Sequence, residues 1–371
     1  MIRFLHLGDM HLDSPFSGLS VQESERMRQA LRELFGSIMR DASLSCDAAL
    51  ISGDLFDQGF VSPDTVAYVK KVLGDFGSPV FIAPGNHDPY NTASVWNSGA
   101  WPDNVHLFTS SSLGRFDTEI EGQPVTVWGW AFTSPKLDDC PIPAGFTAEP
   151  DRINIICAHA DTSSVISRYC PMPLSLIEGS GCEYTALGHI HKAPEPVYAG
   201  KTVVSYSGFP QGRGWDEPGQ GRVLYVEVEK GRAKIRIHPT GFRRYSELDL
   251  DITGSGSDSE TAEMLCAAIP DDIYPQTSLK VYLCGAVTPS YKPEPGKILD
   301  SAAVRDGIDI VFVDETSPVL GAEYLESDMS VRGELYRALL PRLSSEDRDE
   351  RKLASDALRI GLLALDNKPF V

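Results

Sequence analysis

The chain has 371 residues, 42% of them apolar, and a formal net charge of −19 to which both halves contribute. That length exceeds one ordinary domain and supplies a substantial core. The acidity excludes a generally basic nucleic-acid-binding module, so any DNA contact must rest on local patches or bound cations. No apolar run approaches the roughly eighteen residues of a membrane helix, no signal-peptide pattern opens the chain, and seven scattered cysteines without a C-x-x-C pair fit neither a disulfide framework nor a zinc ribbon. The expectation is a reduced cytoplasmic protein without membrane contact.

The first 240 residues alternate strand-like and helical patterns. Ile2 to Leu7 predicts a strand ending in Gly8-Asp9, and Met27, Ala30, Leu31, Leu34, Phe35 and Ile38 recur at helical spacing. Ala48 to Ser52 predicts the next strand, ending in Gly53-Asp54. Ser62-Pro63-Asp64 has the chemistry of an N-cap, N1 and N2 for a helix through Val72, and Pro79 to Ala83 predicts a third strand before GNHD at 85–88. Later segments are hairpin-like: Phe116 to Phe132 around Glu121-Gly122, Ile153 to Ala158 before His159, Thr202 to Ser207, and Arg222 to His238 around Lys230-Gly231. Together these predict an α/β fold with two packed sheets flanked by helices, domain 1–240.

From Tyr245 the style changes. Strands at Glu247 to Ile252, Ser278 to Cys284 and Ile308 to Val313, with a GSGSDS linker and a helix at Glu260 to Ile269, predict a small second α/β domain, 245–328. The segment 329–371 reads as helical, in two pieces broken at Pro341. Ser344 and Asp347 are spaced for a capping box before the last helix. Its apolar stripe of Leu353, Ala357, Leu358, Gly361 and Leu365 packs either on its own chain or on another protein.

The residues that follow the strands carry the chemistry. They are Asp9, His11, Asp54, Asn86, His87, His159, His189 and His191. Loops at the carboxyl ends of strands in open α/β sheets are held rigidly and can share one site. In GHIH at 188–191, extended geometry would point His189 and His191 the same way. Carboxylate and amide oxygens mixed with imidazoles, without thiolates, suit Mn²⁺, Fe or Zn²⁺ rather than structural zinc. The groups suffice for two metals if one carboxylate is shared. Each motif alone has a bland reading: GD is common at strand ends, and GNHD could be a turn with an N-cap.

The joint pattern D-x-H, GDxxD, GNHD, a single histidine and GHxH, each after a strand, resembles the calcineurin-like metallophosphoesterase superfamily. GDMHLD at the start, SYSGFPQGRGWDEPGQGRVLYVEV after the histidine pair, the small second domain and the helical tail are similar to SbcD-type DNA repair exonuclease subunits. The resemblance implies a four-layer αββα sandwich. It implies that Asp9, His11 and His191 hold one divalent ion, that Asn86, His159 and His189 hold the other, and that Asp54 bridges them, with Mn²⁺ the first expectation. His87 is then a general acid or phosphate contact oriented by Asp57. A water between two ions about 3.5–4 Å apart would lose a proton near neutral pH and attack a phosphodiester.

The glycine-rich loop Ser207 to Gly221 places Arg213, Trp215 and Phe209 near this site, for phosphate clamping and base stacking or for packing over the sheet. Asp13, Asp88 and Asp161 are candidate outer partners or loop caps. Lys230, Arg232, Lys234, Arg236, Arg243 and Arg244 are the most basic stretch, a DNA contact or a solvated face. Three function classes remain: a DNA exo/endonuclease subunit whose terminal helices would, by the resemblance, dock on an SbcC-type coiled-coil ATPase; a phosphodiesterase or phosphatase for small phosphoesters; and a non-catalytic binding subunit. The sequence leaves a homodimer open.

Overall fold

The structure, a computed structural model, describes residues 1–17, 19–287, 291–318 and 328–365. The chain divides into two compact units, Met1–Phe242 and Arg243–Val371.

In the first unit, β1 (Ile2–Leu7), α1 (Val21–Ser43), β2 (Ala48–Ile51), α2 (Pro63–Phe76), β3 (Val80–Ile82) and β4 (Val105–Leu107) follow a βαβ pattern. Ser20 and Glu23 form the capping box of α1, and Ser62 caps α2 ahead of Pro63, so both helices start where side-chain oxygens satisfy their first N–H groups. Met27, Leu31, Phe35 and Ile38 of α1 pack with Val69 and Leu73 of α2 and with Leu5, Leu7 and Ile51 on one face of the sheet. Two of the parallel strands then end at Leu7 and Ile51, one and two residues before the GD pairs.

The next six strands, β5 (Gly114–Ile120), β6 (Gln123–Gly129), β7 (Ile153–His159), β8 (Tyr184–Gly188), β9 (Val197–Ala199) and β10 (Thr202–Tyr206), form a second sheet in the order β5-β6-β7-β8-β10-β9. The hairpin β11 (Gly221–Glu229) and β12 (Arg232–Thr240) returns to the first, whose order is β12-β11-β1-β2-β3-β4. Phe4, Leu50, Phe81 and Val226 from one sheet meet Val127, Ile155, Tyr184 and Ala186 from the other in a dry layer. The fold class is α/β with two packed sheets and helices. The outer face of the second sheet is covered by connecting segments and the 3-10 turn Leu174–Leu176 rather than by α-helix. Pro135, Pro141, Pro143, Pro171 and Pro173 in those segments lack the amide donors a helix interior needs, and their rings clash with the preceding turn.

The second unit has a parallel sheet of β13 (Arg244–Asp251), β14 (Thr277–Cys284) and β16 (Asp309–Asp314), with α3 (Asp258–Ala268) and α4 (Pro295–Ser301) packed through Leu265 and Ile298. Here β15 (Ala286–Val287) pairs with β17 (Ser317–Pro318). GSGSDS is not a linker: Ser257 caps α3, and Ser255 is buried and hydrogen-bonded to Thr261. The terminal helices α5 (Val331–Leu343) and α6 (Arg348–Leu365) belong to this unit. Pro341 does not break the helix. It lies in the last turn of α5, and the break falls at Ser344–Asp347, where Ser344 ends α5 and the Asp347 carboxylate accepts from Glu350 N. The buried face of α6 is Ala354, Ser355, Leu358 and Leu362, while Leu353 and Ile360 face outward at 67% and 53% exposure. The stripe therefore sits about one residue off the expected register. Arg348 fixes the start of α6 through Glu315 and Asp249, and Arg359 ties it to Thr316. Parts of the expected domains 245–328 and 329–371, at 288–290, 319–327 and 366–371, lie outside the described residues. No helix among those described is long and apolar enough to cross a membrane.

Candidate metal centre

Five non-glycine residues at the strand exits hold left-handed backbone: Asp9 (φ 50°), His11 (φ 47°), Asp13 (φ 62°), Asp54 (φ 50°) and His189 (φ 104°). Each such conformation costs of order 1–3 kcal/mol, and strain of this kind concentrates where side chains must be aimed at a site. Backbone hydrogen bonds impose it: Asp9 N donates to Gly53 O at 3.1 Å and His11 N to Asp54 O at 2.9 Å, locking the first exit against the second. Gly53 itself has φ +93°, and a Cβ there would come within 2.4 Å of the His159 ring. A Cβ on Gly85 would come within 2.2 Å of an Asp54 carboxylate oxygen. Glycine at both places lets the imidazole and the carboxylate close on one point.

Two clusters result. Asp9, His11 and His191 bring one ligand atom each to within 4.8 Å of one another, and so do Asp9, Asp54 and His159. The Asp54 Oδ2 atom stands between them, 3.7 Å from His11 Nε2 and 3.3 Å from His159 Nε2. Asn86 Oδ1 lies 2.9 Å from His159 Nε2. The strand does not continue past Gly188. At the turn the two rings diverge, His189 lying 5.1 Å from the His159 ring and His191 5.1 Å from the His11 ring, centroid to centroid. The expected parallel pointing of the H-x-H rings is thus replaced by a turn that sends one to each cluster.

The tautomers decide what these clusters can hold. His11 Nδ1 faces Asp57 Oδ1 at 3.2 Å and His191 Nδ1 faces Glu217 Oε1 at 2.7 Å. Carboxylates accept, so each Nδ1 carries a proton. The two Nε2 atoms then face each other across 3.2 Å. Burial weakens the hold of His191 on a second proton, but Glu217 and Asp9 raise it on balance. Without an ion a proton can therefore bridge the pair, and a divalent cation would take that proton's place. His159 repeats the arrangement: its Nδ1 donates to the Ser52 carbonyl at 3.0 Å, leaving the Nε2 lone pair aimed at the Asn86 and Asp54 oxygens. The donor sets fit two divalent ions, the first at Asp9, His11 and His191, the second at Asn86 and His159 with His189 adjoining, and Asp54 between.

Burial lowers His11 and His159 below the ordinary imidazole range, and takes His189 down to about 4. Neutral imidazole is the form that ligates. Burial raises the Asp9 carboxyl. Burial also opposes ionisation of Asp54, but His159, His11 and His87 outweigh it and hold that carboxyl low.

A third grouping, His11, Asp57 and His87, is a hydrogen-bonded one. Asp57 Oδ1 receives both His11 Nδ1 and, at 2.7 Å, His87 Nδ1. Burial pushes the Asp57 carboxyl up, yet its bonds from His11 and His87 carry it well below the usual carboxylate range. The same bond raises His87 above the ordinary imidazole value. The His87 side chain is 49% exposed, so its Nε2 faces outward at the edge of the clusters.

The model of the calcineurin-like phosphoesterase family matches residues 2–193, more than half of the chain and every one of these strand-exit residues. The chain belongs to the calcineurin-like phosphoesterase family. It is 30% identical over 262 residues to a Bacillus subtilis (strain 168) protein described as the uncharacterized metallophosphoesterase YhaO, an alignment covering 68% of this chain and 64% of that protein.

For other residues of this calcineurin-like phosphoesterase the sequence left alternatives open. Phe209 is buried at 5% exposure and offers no ring face to a base, and Trp215 is half-buried. Arg213 is not directed at open space: it is bound by Glu217 and reaches Asp57 Oδ2 at 3.4 Å. Asp13 accepts from Arg32 and Ser62 N, and Asp161 from Ser163; both cap loops. Tyr169, 36% exposed, has its ring 4.9 Å from that of His189. Glu217 escapes sequence reasoning altogether, because it lies in an aperiodic glycine-rich loop and pairs with a histidine 26 positions earlier.

Asp88 knits the exits together. Its buried carboxylate accepts from Gly85 N at 2.7 Å, Leu55 N at 2.9 Å and Phe56 N at 3.2 Å. Asp88→Ala leaves three buried donors unpaired, each costing about 1–3 kcal/mol. The expected result is a loss of about 3 kcal/mol or more in urea unfolding of the ion-free protein, whereas a loss below about 1 kcal/mol would contradict this role.

Proposed function

We propose that this chain is a dimetal phosphodiesterase acting on DNA, in the manner of SbcD-type repair exonuclease subunits. The observation that carries the phosphodiesterase reading is His87: a half-exposed imidazole, its inner nitrogen held by Asp57, stands beside two clusters whose lone pairs call for cations. Divalent ions at these clusters, Mn²⁺ first, would act as Lewis acids toward phosphoryl oxygens and make water a nucleophile at neutral pH.

The chain's own residues do the rest. Asp9, His11, Asp54, Asn86, His159, His189 and His191 fix where a phosphate can sit. Asp57 holds His87 with its Nε2 outward, and the raised affinity of that ring for a proton suits it to protonate a departing ribose oxygen. Tyr169, exposed beside His189, is a ring on which a base could stack. DNA as substrate is supported by the likeness of the Ser207–Gly221 region, the second unit and the helical tail to SbcD-type subunits. An SbcC-type ATPase partner is supported by the outward Leu353 and Ile360 of α6. Action on small phosphoesters instead is favoured by one observation: the Arg213 guanidinium is taken by Glu217 and Asp57, leaving it less able to clamp a DNA phosphate.

The test uses purified protein with Mn²⁺ on linear duplex DNA and on bis(p-nitrophenyl) phosphate. Degradation of DNA, with binding that weakens steeply as salt rises, is expected. Turnover of the small diester alone would overturn the DNA reading and leave the phosphodiesterase one.

A further inference from the structure

We infer that Glu217, with Arg213, is a positioning pair that presets His191 as a metal ligand, so that one of the two ion positions depends on it and the other does not. This deepens the dimetal reading and rests on it. Glu217 is 3% exposed, and no solvent role accounts for a carboxylate there. Among the described residues, its side-chain hydrogen bonds run to His191 and Arg213. Its Oε1 takes the His191 Nδ1 proton at 2.7 Å, and its two oxygens grip Arg213 through Nε at 3.1 and 3.2 Å, through the backbone N at 2.8 Å, and through the terminal guanidinium nitrogen. Arg213 in turn reaches Asp57, whose other oxygen takes the His11 Nδ1 proton.

One guanidinium thus braces the two carboxylates that fix the tautomers of His11 and His191, the two rings whose Nε2 atoms stand 3.2 Å apart. The pair acts in two ways. It holds His191, whose side chain is 26% exposed and has freedom to turn, with its lone pair inward. Within the pair, Glu217 also offsets the half-buried Arg213 charge, which would otherwise repel an incoming cation. On the second cluster, His159 is set by the Ser52 carbonyl instead, so its orientation does not depend on Glu217.

The experiment is Mn²⁺ titration of the full chain by calorimetry, with unfolding midpoints as a control. Wild type is expected to bind two ions. Glu217→Gln keeps the volume but not the charge. It should lose about 10–100-fold in affinity at one position and none at the other, and Glu217→Asp, which restores a carboxylate, should lose less. If Glu217→Gln binds both ions as wild type does, or if both positions weaken together with a fallen unfolding midpoint, the assignment is overturned. Wild type binding no Mn²⁺ would instead remove the dimetal reading beneath it.

Discussion

Asp54→Ala is expected to remove both divalent ions from the protein at once and to abolish hydrolysis of bis(p-nitrophenyl) phosphate. The reason is geometric. The Asp54 Oδ2 atom lies 3.7 Å from His11 Nε2 and 3.3 Å from His159 Nε2, so it reaches a ring of each cluster. Removing an outer partner of a metal ligand costs about 10–100-fold in affinity, and removing a carboxylate common to two sites should cost each of them more than that. Without it His11 Nε2 and His159 Nε2 lose the carboxylate oxygen that both approach, and less negative charge is left to hold a cation. Inductively coupled plasma mass spectrometry of dialysed protein reads the metal content. Retention of even one tightly held ion would show that the clusters are independent. Folding should survive, because the Asp54 peptide still accepts from His11 N through its carbonyl.

His87→Ala should give the opposite pattern, with ion content unchanged and kcat lowered by about 10²–10⁴-fold. The His87 ring shares Asp57 Oδ1 with His11, its backbone N–H, which donates to Asp54 Oδ1 at 2.8 Å, survives the truncation, and its side chain is 49% exposed. The loss should therefore fall on kcat, with little effect on stability. A substrate with a more acidic leaving group needs less protonation, so the deficit should shrink along a series of aryl phosphodiesters. A uniform deficit across that series, or a loss of bound metal, would assign His87 to phosphate contact or ligation instead.

The candidate metal clusters were legible in the sequence because their residues sit at or immediately beyond strand ends, where the sheet limits where they can be placed. Asp9 follows β1 and Asp54 follows β2 by fixed short steps, and parallel neighbours bring such exits together. The divergence of His189 and His191 was legible only through the family resemblance, since a φ of 104° at a histidine is imposed by hydrogen bonds from the His189 backbone to Asp9 and leaves no local signature. Glu217 was hidden for a related reason: its histidine partner lies 26 positions back in the chain and its loop has no period. GSGSDS looked like a linker because low complexity and capping chemistry share serine, and only the burial of Ser255 distinguishes them. On α6, both Leu353, Ala357, Ile360 and Ala354, Leu358, Leu362 are apolar at helical spacing. Periodicity alone could not say which stripe faces inward.

Anomalous diffraction from crystals grown with Mn²⁺ tests the central claim most directly. Two peaks flanking Asp54 are predicted, one beside His11 and His191 and one beside Asn86 and His159. A single peak away from Asp54, or none at these side chains, would contradict the account.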